Sequence, residues 1–440
     1  MKLNISTFVN SYPIKRLFIF CNVIIAIILL APNKRLYGQE NNSNDSTKTI
    51  NSTAYQYDIS DLFRNIFHPN RRIDSFETKS GLAFLPNVAY NPSIGAQIGI
   101  KAVGGKILGK QPSETLMSVA ASSASITTRG ILVFYISHNI FTPGNKWNLQ
   151  GNWRVANMVA LDHGLGIGNK TGENLNDNIL LNPDRELYMI RYHYYNFNEK
   201  IYKQVYPNLF LGAGISFDIR ERIQDERLED ELTPHYLYSQ ENGFNNNHYV
   251  ANGLLFNIQY TTRDHPNRAY KGIHSDIGIR LNQSWLGSNK SAVQLTTDFR
   301  KYWSLSQHNP EHVLAFWHWG SYLLTGTLPY LELPGTGKDM YNRSGRGYTI
   351  GYYNGTSFFY SEIEYRFPIT RNKFLGGAAF VNMQTAGHQL DTKLFEQWQP
   401  AAGLGLRVLF NKSTRTNLCL DYAFGKYGSS GFFLGLNEAF

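Results

Sequence analysis

The sequence predicts an all-β protein, a transmembrane antiparallel β-barrel of about 16 strands with a lumenal loop and a short N-terminal extension, and three observations predict it. Aromatic residues make up 14% of the 440-residue chain, with 28 Tyr and 27 Phe. Hydrophobic residues reach 42%, yet the mean hydropathy is negative, at -0.33. Strands that alternate lipid-facing and polar positions give that combination, whereas a helical membrane protein is more apolar. From Gly81 to the end, the apolar period is two. A β-sandwich or propeller also alternates, but its outward face is polar.

The N-terminus reads as an address. The apolar run Leu17 to Leu30 follows Lys15 and Arg16 and precedes Leu36-Tyr37-Gly38, so residues 1–38 are expected to be a secretory signal peptide cleaved near Gly38. Cys21 leaves with it, and Cys419 alone forms no internal disulfide. Residues 39–80 form the N-terminal extension. Its first part, to Ser60, is rich in Asn, Ser and Thr and reads as a disordered tail. In its second part, Asp61 to Ser80, Leu62, Phe63, Ile66 and Phe67 have helical spacing, which suggests a short amphipathic helix that plugs the barrel or lies at the membrane surface.

Residues 81–440 are the expected barrel. In the first strand Leu82, Phe84, Val88 and Tyr90 share a face, but Pro86 removes a ladder donor and Pro92 follows, so this strand should pair weakly along one edge. Trp147, Leu149, Trp153 and Val155 then alternate with Asn148, Gln150, Asn152 and Arg154. Ile273, Ile277 and Ile279 face away from His274, Asp276 and Arg280, and Val293, Leu295 and Phe299 from Gln294, Asp298 and Arg300. Trp147, Trp153, Trp317 and Trp319 read as interfacial girdle residues. Two stretches interrupt the ladder. Asp162 to Asp184 is Gly-rich, but its Gly and Lys lack phosphate-loop spacing. Arg220 to His248, dense in Asp, Glu and Asn, reads as a solvated extracellular excursion.

The rest of the chain is a scaffold for Tyr341 to Thr370. Gly345-Arg346-Gly347-Tyr348 sets one guanidinium between two glycines, where the backbone can turn tightly and present it inward. In the strand that follows, Phe359, Ile363, Tyr365 and Phe367 oppose Glu362, Glu364 and Arg366. A buried Arg346 needs a partner. By parity the candidates are Glu362, Glu364 and Asp421, and the first two are preferred.

Arg346-Gly347-Tyr348, with the strand ending Glu364-Tyr365-Arg366-Phe367-Pro368, resembles the BamA/TamA-type surface-antigen superfamily of outer-membrane barrels. In that family the Arg-Gly-aromatic loop folds back into the lumen. Thr262-Arg263-Asp264 with Ala269-Tyr270-Lys271-Gly272 resembles a family strand end and turn, and Gly403 to Arg407 and Asn417 to Tyr422 resemble the penultimate strands. The last strand, Gly431 to Phe440, puts Phe432, Leu434, Leu436 and Phe440 on one face, and its terminal Phe resembles the assembly signal of such barrels. Two departures stand out. Residues 39–80 are too short for a POTRA domain, the client-docking module that members carry in series. Asn382, in Val381-Asn382-Met383-Gln384, stands where the family's loop arginine meets an aspartate; it can accept a hydrogen bond but brings no charge.

The resemblance implies insertion or export of polypeptide, or organisation of the outer membrane, through a weak seam between the strand of Pro86 and the strand ending at Phe440. Two other readings stay open: a channel for anionic solutes lined by Arg154, Arg191, Arg220, Arg280 and Arg300, and a structural barrel. The expected surroundings are outer-membrane lipids, with other envelope proteins or a second copy as partners. The net charge of +9 does not point to nucleic acid, because the basic residues lie singly on alternating strand faces. Scattered histidines and the lack of a nucleophile elbow argue against an enzyme, a metal or a cofactor.

Overall fold

The computed structural model describes residues 56–67, 83–91, 93–109, 115–167, 188–226, 228–229, 232–387, 393–412 and 414–440. The expected signal peptide, most of the expected tail and the second half of the expected helix lie outside the described residues. Sixteen antiparallel strands close into a barrel, and one extra two-residue strand, Tyr249–Val250, pairs with the seventh. In chain order they are β1 (Ala83–Pro86 and Ala89–Asn91, a strand broken after Pro86), β2 (Gly95–Lys106), β3 (Ser118–Thr127), β4 (Leu132–Phe141), β5 (Trp147–Asp162), β6 (Tyr188–Tyr206), β7 (Leu209–Asp225) and β8 (Gly253–Thr261). The second half holds β9 (Gly272–Asn282), β10 (Ala292–Ser304), β11 (Val313–Gly326), β12 (Ser357–Pro368), β13 (Leu375–Gly387), β14 (Gln399–Asn411), β15 (Thr416–Gly425) and β16 (Ser430–Leu436).

Alternation decides which way each side chain points. Ile98, Ile126, Phe134, Val155, Phe256, Ile363, Val381 and Leu404 stand on the outer surface, and Ile98 and Leu404 are more than two-thirds exposed. In water so continuous an apolar face would be a liability; against lipid chains it is the expected surface. The core is the lumen. There Tyr302, Trp317, Trp319, Tyr348, Tyr352, Tyr353, Phe358, Tyr360 and Phe440 form one buried cluster. Trp317 and Trp319 are therefore not girdle residues, because the odd positions of β11 point inward. Trp147 and Trp153 are exposed on the outside.

Strand length is uneven around the wall. β5, β6 and β7 run for 16, 19 and 17 residues, longer than the roughly 9–11 that a membrane strand needs, and so stand beyond the hydrocarbon. β16 has only 7 residues, and the two pieces of β1 have 4 and 3. One end of the barrel carries the β4–β5, β6–β7, β12–β13 and β14–β15 connections, short turns of two to six residues, and the other end carries the longest described loop, 327–356, between β11 and β12.

One of the two places expected for the helix is taken, and one expectation changes. The helix α1 is Ile59–Phe67, and it packs against the short turns, outside the lumen. Lys412 donates its backbone N–H to Asp58 at 3.1 Å and its ammonium to Asp61 at 2.7 Å, and Tyr57 packs edge-on against Phe374 at 5.5 Å. The stretch 220–248 is not a solvated excursion. β7 extends to Asp225, and α2 (Pro234–Glu241) turns its Tyr238 inward onto Leu328, Tyr330 and Leu333 of the long loop, with Phe244 and Tyr249 in the same buried cluster. Of its described acidic residues Glu226, Glu229 and Glu241 are exposed, and the interspersed aromatics fix where it sits.

Candidate functional site

The loop 327–356 enters the lumen because its sequence supplies turns and hydrogen-bonding groups that can replace water there. Gly345 and Gly347 have φ of +80° and +104°, in the left-handed region that favours glycine. A Cβ on Gly347 would stand 2.7 Å from the Cβ of Ala401 on β14, so the loop tip lies directly against the wall. Asp339 ties the preceding turn by accepting from the backbone N–H groups of Tyr341, Arg343 and Ser344, at 3.1, 2.8 and 2.7 Å. Tyr348 fixes the other side. Its hydroxyl donates to the Pro400 carbonyl at 2.7 Å and accepts from the Lys426 N–H at 2.9 Å.

These turns aim Arg346 at three carboxylates. Its guanidinium contacts Glu362 and Glu364 on β12 and Asp421 on β15, at 2.5 Å for Glu364 and 2.7 Å for Asp421. It also lies 3.6 Å above the ring of Phe380 on β13, a cation–π contact. Asn382 takes a different role from the carboxylates: its Nδ2 donates to the Arg346 carbonyl at 2.9 Å. Burial disfavours the Arg346 charge, but Glu362, Glu364 and Asp421 outweigh it and hold its pKa above the usual arginine value.

The network continues beyond the loop. Glu364 also meets Arg366 at 2.5 Å and Arg407 at 3.4 Å, and Arg407 meets Glu438 at 2.8 Å. Arg268, in the β8–β9 turn, reaches Glu438 at 3.9 Å. Four arginines thus face four carboxylates, all eight residues buried. Removing any one leaves an uncompensated charge in a low-dielectric interior. Gly405 makes room for the cluster, since a Cβ there would stand 2.0 Å from the Asp421 carboxylate and 2.4 Å from the Arg407 guanidinium.

The C-terminus enters the same site, which sequence parity did not anticipate. β16 ends at Leu436, and Asn437, with φ of +72°, turns the last residues into the lumen. Phe440 therefore does not stand at the seam. Its ring stacks on Trp317 at 5.2 Å, and its carbonyl accepts from Arg366 at 2.9 Å. Arg343, three residues before Arg346, donates to the carbonyls of Leu436 at 2.7 Å, Asn437 at 3.0 Å and Glu438. Neither Arg343 nor Glu438 stands out in the sequence. The one signal for Arg343 is its place in the same Gly- and Ser-rich turn.

Beside these residues the barrel closes. Among the described residues, Tyr90 of β1 and Leu434 of β16 form the single ladder pair between the two strands, whereas seven pairs join β15 to β16. Pro86 lies on β1 opposite Ile100 of β2, and the break at residues 87–88 follows it. The lumen keeps a cavity of about 630 Å³ lined by Arg154, Arg220, Arg280 and Arg300. Arg191 is not among its walls. It points outward from an odd position of β6, with its side chain 44% exposed, and pairs with Glu226. No described group of three or more His, Cys, Asp or Glu is placed to hold a metal.

Residues 117–440 match the model of the Omp85 superfamily domain. The fold is similar to that of BamA from Haemophilus ducreyi lacking POTRA domains 1-3, with a TM-score of 0.53 at 13% identity over 82% of this chain and 70% of that one. It is also similar to CdiB from Escherichia coli, with a TM-score of 0.52 at 8% identity over 83% of this chain and 64% of that one. The chain thus spans less than two thirds of that CdiB, and at these identities the likeness is one of fold. No curated protein matches the sequence. With the family domain covering most of its length and sixteen strands closing around an inserted loop, the chain belongs to the Omp85 superfamily.

Proposed function

We propose that this barrel assists the insertion or export of polypeptide at the outer membrane by parting between β1 and β16, with the loop 327–356 and the C-terminal residues as its latch. The single ladder pair among the described residues of this seam, Tyr90 with Leu434, carries this reading. A backbone hydrogen bond contributes about 0.5–1.5 kcal/mol net, so parting this seam costs less than parting β15 from β16 with its seven pairs. Edges left unpaired in lipid are unfavourable and template the addition of another strand. Its partners are then outer-membrane lipids and other envelope proteins, with the short turns on the periplasmic side. The test is whether the purified barrel in liposomes speeds the folding of a second outer-membrane protein beyond empty liposomes. Acceleration is expected, and equal rates would contradict the proposal.

A solute passage has less support. Of the cations expected to line it, Arg220, Arg280 and Arg300 are engaged with Glu332, Asp218 and Asp298, and Arg191 faces outward.

A further inference from the structure

The charges lining the lumenal cavity are unequally satisfied. Among the described residues, its carboxylates all have donors: Asp218 and Asp298 hold arginines, and Asp276 accepts from Tyr202, Asn257 and Gln259. Among the described residues, six of its cations, Lys101, Arg154, Lys200, Arg263, Lys338 and Arg343, have no carboxylate within 4 Å, and of these Lys338 and Arg343 donate to backbone carbonyls. Like charges facing one cavity without partners are costly unless something negative completes them.

The imbalance is sharpest at the short-turn end. Arg263 follows β8, and among the described residues the only hydrogen bond of its side chain is a long one of 3.5 Å to the Pro266 carbonyl; its Nε is buried without a partner there. Ladder register sets His274 of β9 opposite Thr261, two residues before Arg263, and opposite Arg300 on its other side. The His274 Nδ1 is also buried and unpartnered. The carboxylate in whose field Arg263 lies, Asp298, is already taken. It holds Arg300 through two bonds of 2.8 and 2.6 Å and accepts from the Trp317 Nε1 at 3.1 Å. His274 thus stands in the combined field of Arg263, Arg300 and Lys200.

We propose that Arg263 and His274 form an oxyanion-binding site in the lumen, which takes a phosphate or carboxylate group of a soluble molecule, with Lys200 and Arg300 supplying its positive field. The planar guanidinium presents parallel donors to two oxygens, and the imidazole supplies a third donor in one tautomer. Asp276, with three donors of its own, does not compete for Arg263. The site shares no residue with the eight-residue network, and its proposal does not rest on the parting of the seam.

The test is titration calorimetry on the purified barrel in a phosphate-free detergent, with inorganic phosphate as the probe and chloride holding the ionic strength constant. Saturable binding is expected, weakened about tenfold in R263Q, the loss of one charge-assisted pair. If R263Q does not fold, K200Q on the wall of β6 is expected to weaken binding severalfold by removing part of the field. A parallel arm supplies the same phosphate concentration as a phospholipid headgroup in mixed micelles. Binding of the headgroup alone, binding unchanged in the folded variants, or no saturable heat with phosphate would overturn the proposal.

Discussion

The Nη2 of Arg343 donates to the carbonyl of Leu436 at 2.7 Å, and this bond ties the lumenal loop to the last residue of the closing strand. The same guanidinium holds the carbonyls of Asn437 and Glu438. A loop that entered the lumen for its own packing would not need these contacts. Under the proposed parting of the seam, these contacts would make the loop and the strand end move together.

Replacing Arg343 by Met keeps much of the stem and removes the donors. The expected cost is about 2–4 kcal/mol, because three inward carbonyls lose a charged partner. A carboxypeptidase should then remove Phe440 from the folded variant, while the wild-type terminus resists. Equal resistance would show that packing alone holds the terminus.

Arg346→Ala leaves Glu362, Glu364 and Asp421 facing one another, and breaking such a buried network costs about 3–5 kcal/mol. The expected readout is a lower temperature for the loss of heat-modifiable mobility on gels. Unchanged heat-modifiability would refute the loop as a structural lock.

Asn382→Asp puts an aspartate where the resemblance led one to expect it, and the structure argues that it harms. Asn382 donates to the Arg346 carbonyl at 2.9 Å and lies 3.5 Å from Glu362, so Asp would lose the donor and add a like charge. A loss of about 2 kcal/mol at neutral pH is expected. That penalty belongs to the ionised Asp and falls as acidification protonates it; thermal melts of variant and wild type across pH would show the gap narrowing toward low pH.

Phe440→Ala removes the ring stacked on Trp317 and lying 5.1 Å from the Arg366 guanidinium. A cost of about 3 kcal/mol is expected in the folded barrel, measured by urea unfolding in micelles. A cost below about 0.5 kcal/mol would mean that the ring does not pack as described.

The strand framework was legible because lipid on one side and a polar lumen on the other impose a strict period of two, as along Phe359 to Phe367. Arg346 was legible because glycines flank it. Arg343 was not, since bonds to backbone carbonyls leave no pattern in the partner's sequence. The inward turn at Asn437 escaped because Phe440 fits the parity of an extended β16; the chain leaves that line where Arg343 and the arginines around Glu438 hold it. The burial of α2 was hidden by acidic neighbours, whose charges mask the aromatic residues Tyr238, Phe244 and Tyr249.

The most direct measurement is a disulfide across the seam, Tyr90→Cys with Leu434→Cys, since paired residues on adjacent antiparallel strands lie within bridging distance. In the liposome folding assay the oxidised double variant should lose its acceleration of a second barrel and regain it on reduction. Full acceleration with the seam covalently closed would contradict a function exerted by parting β1 from β16.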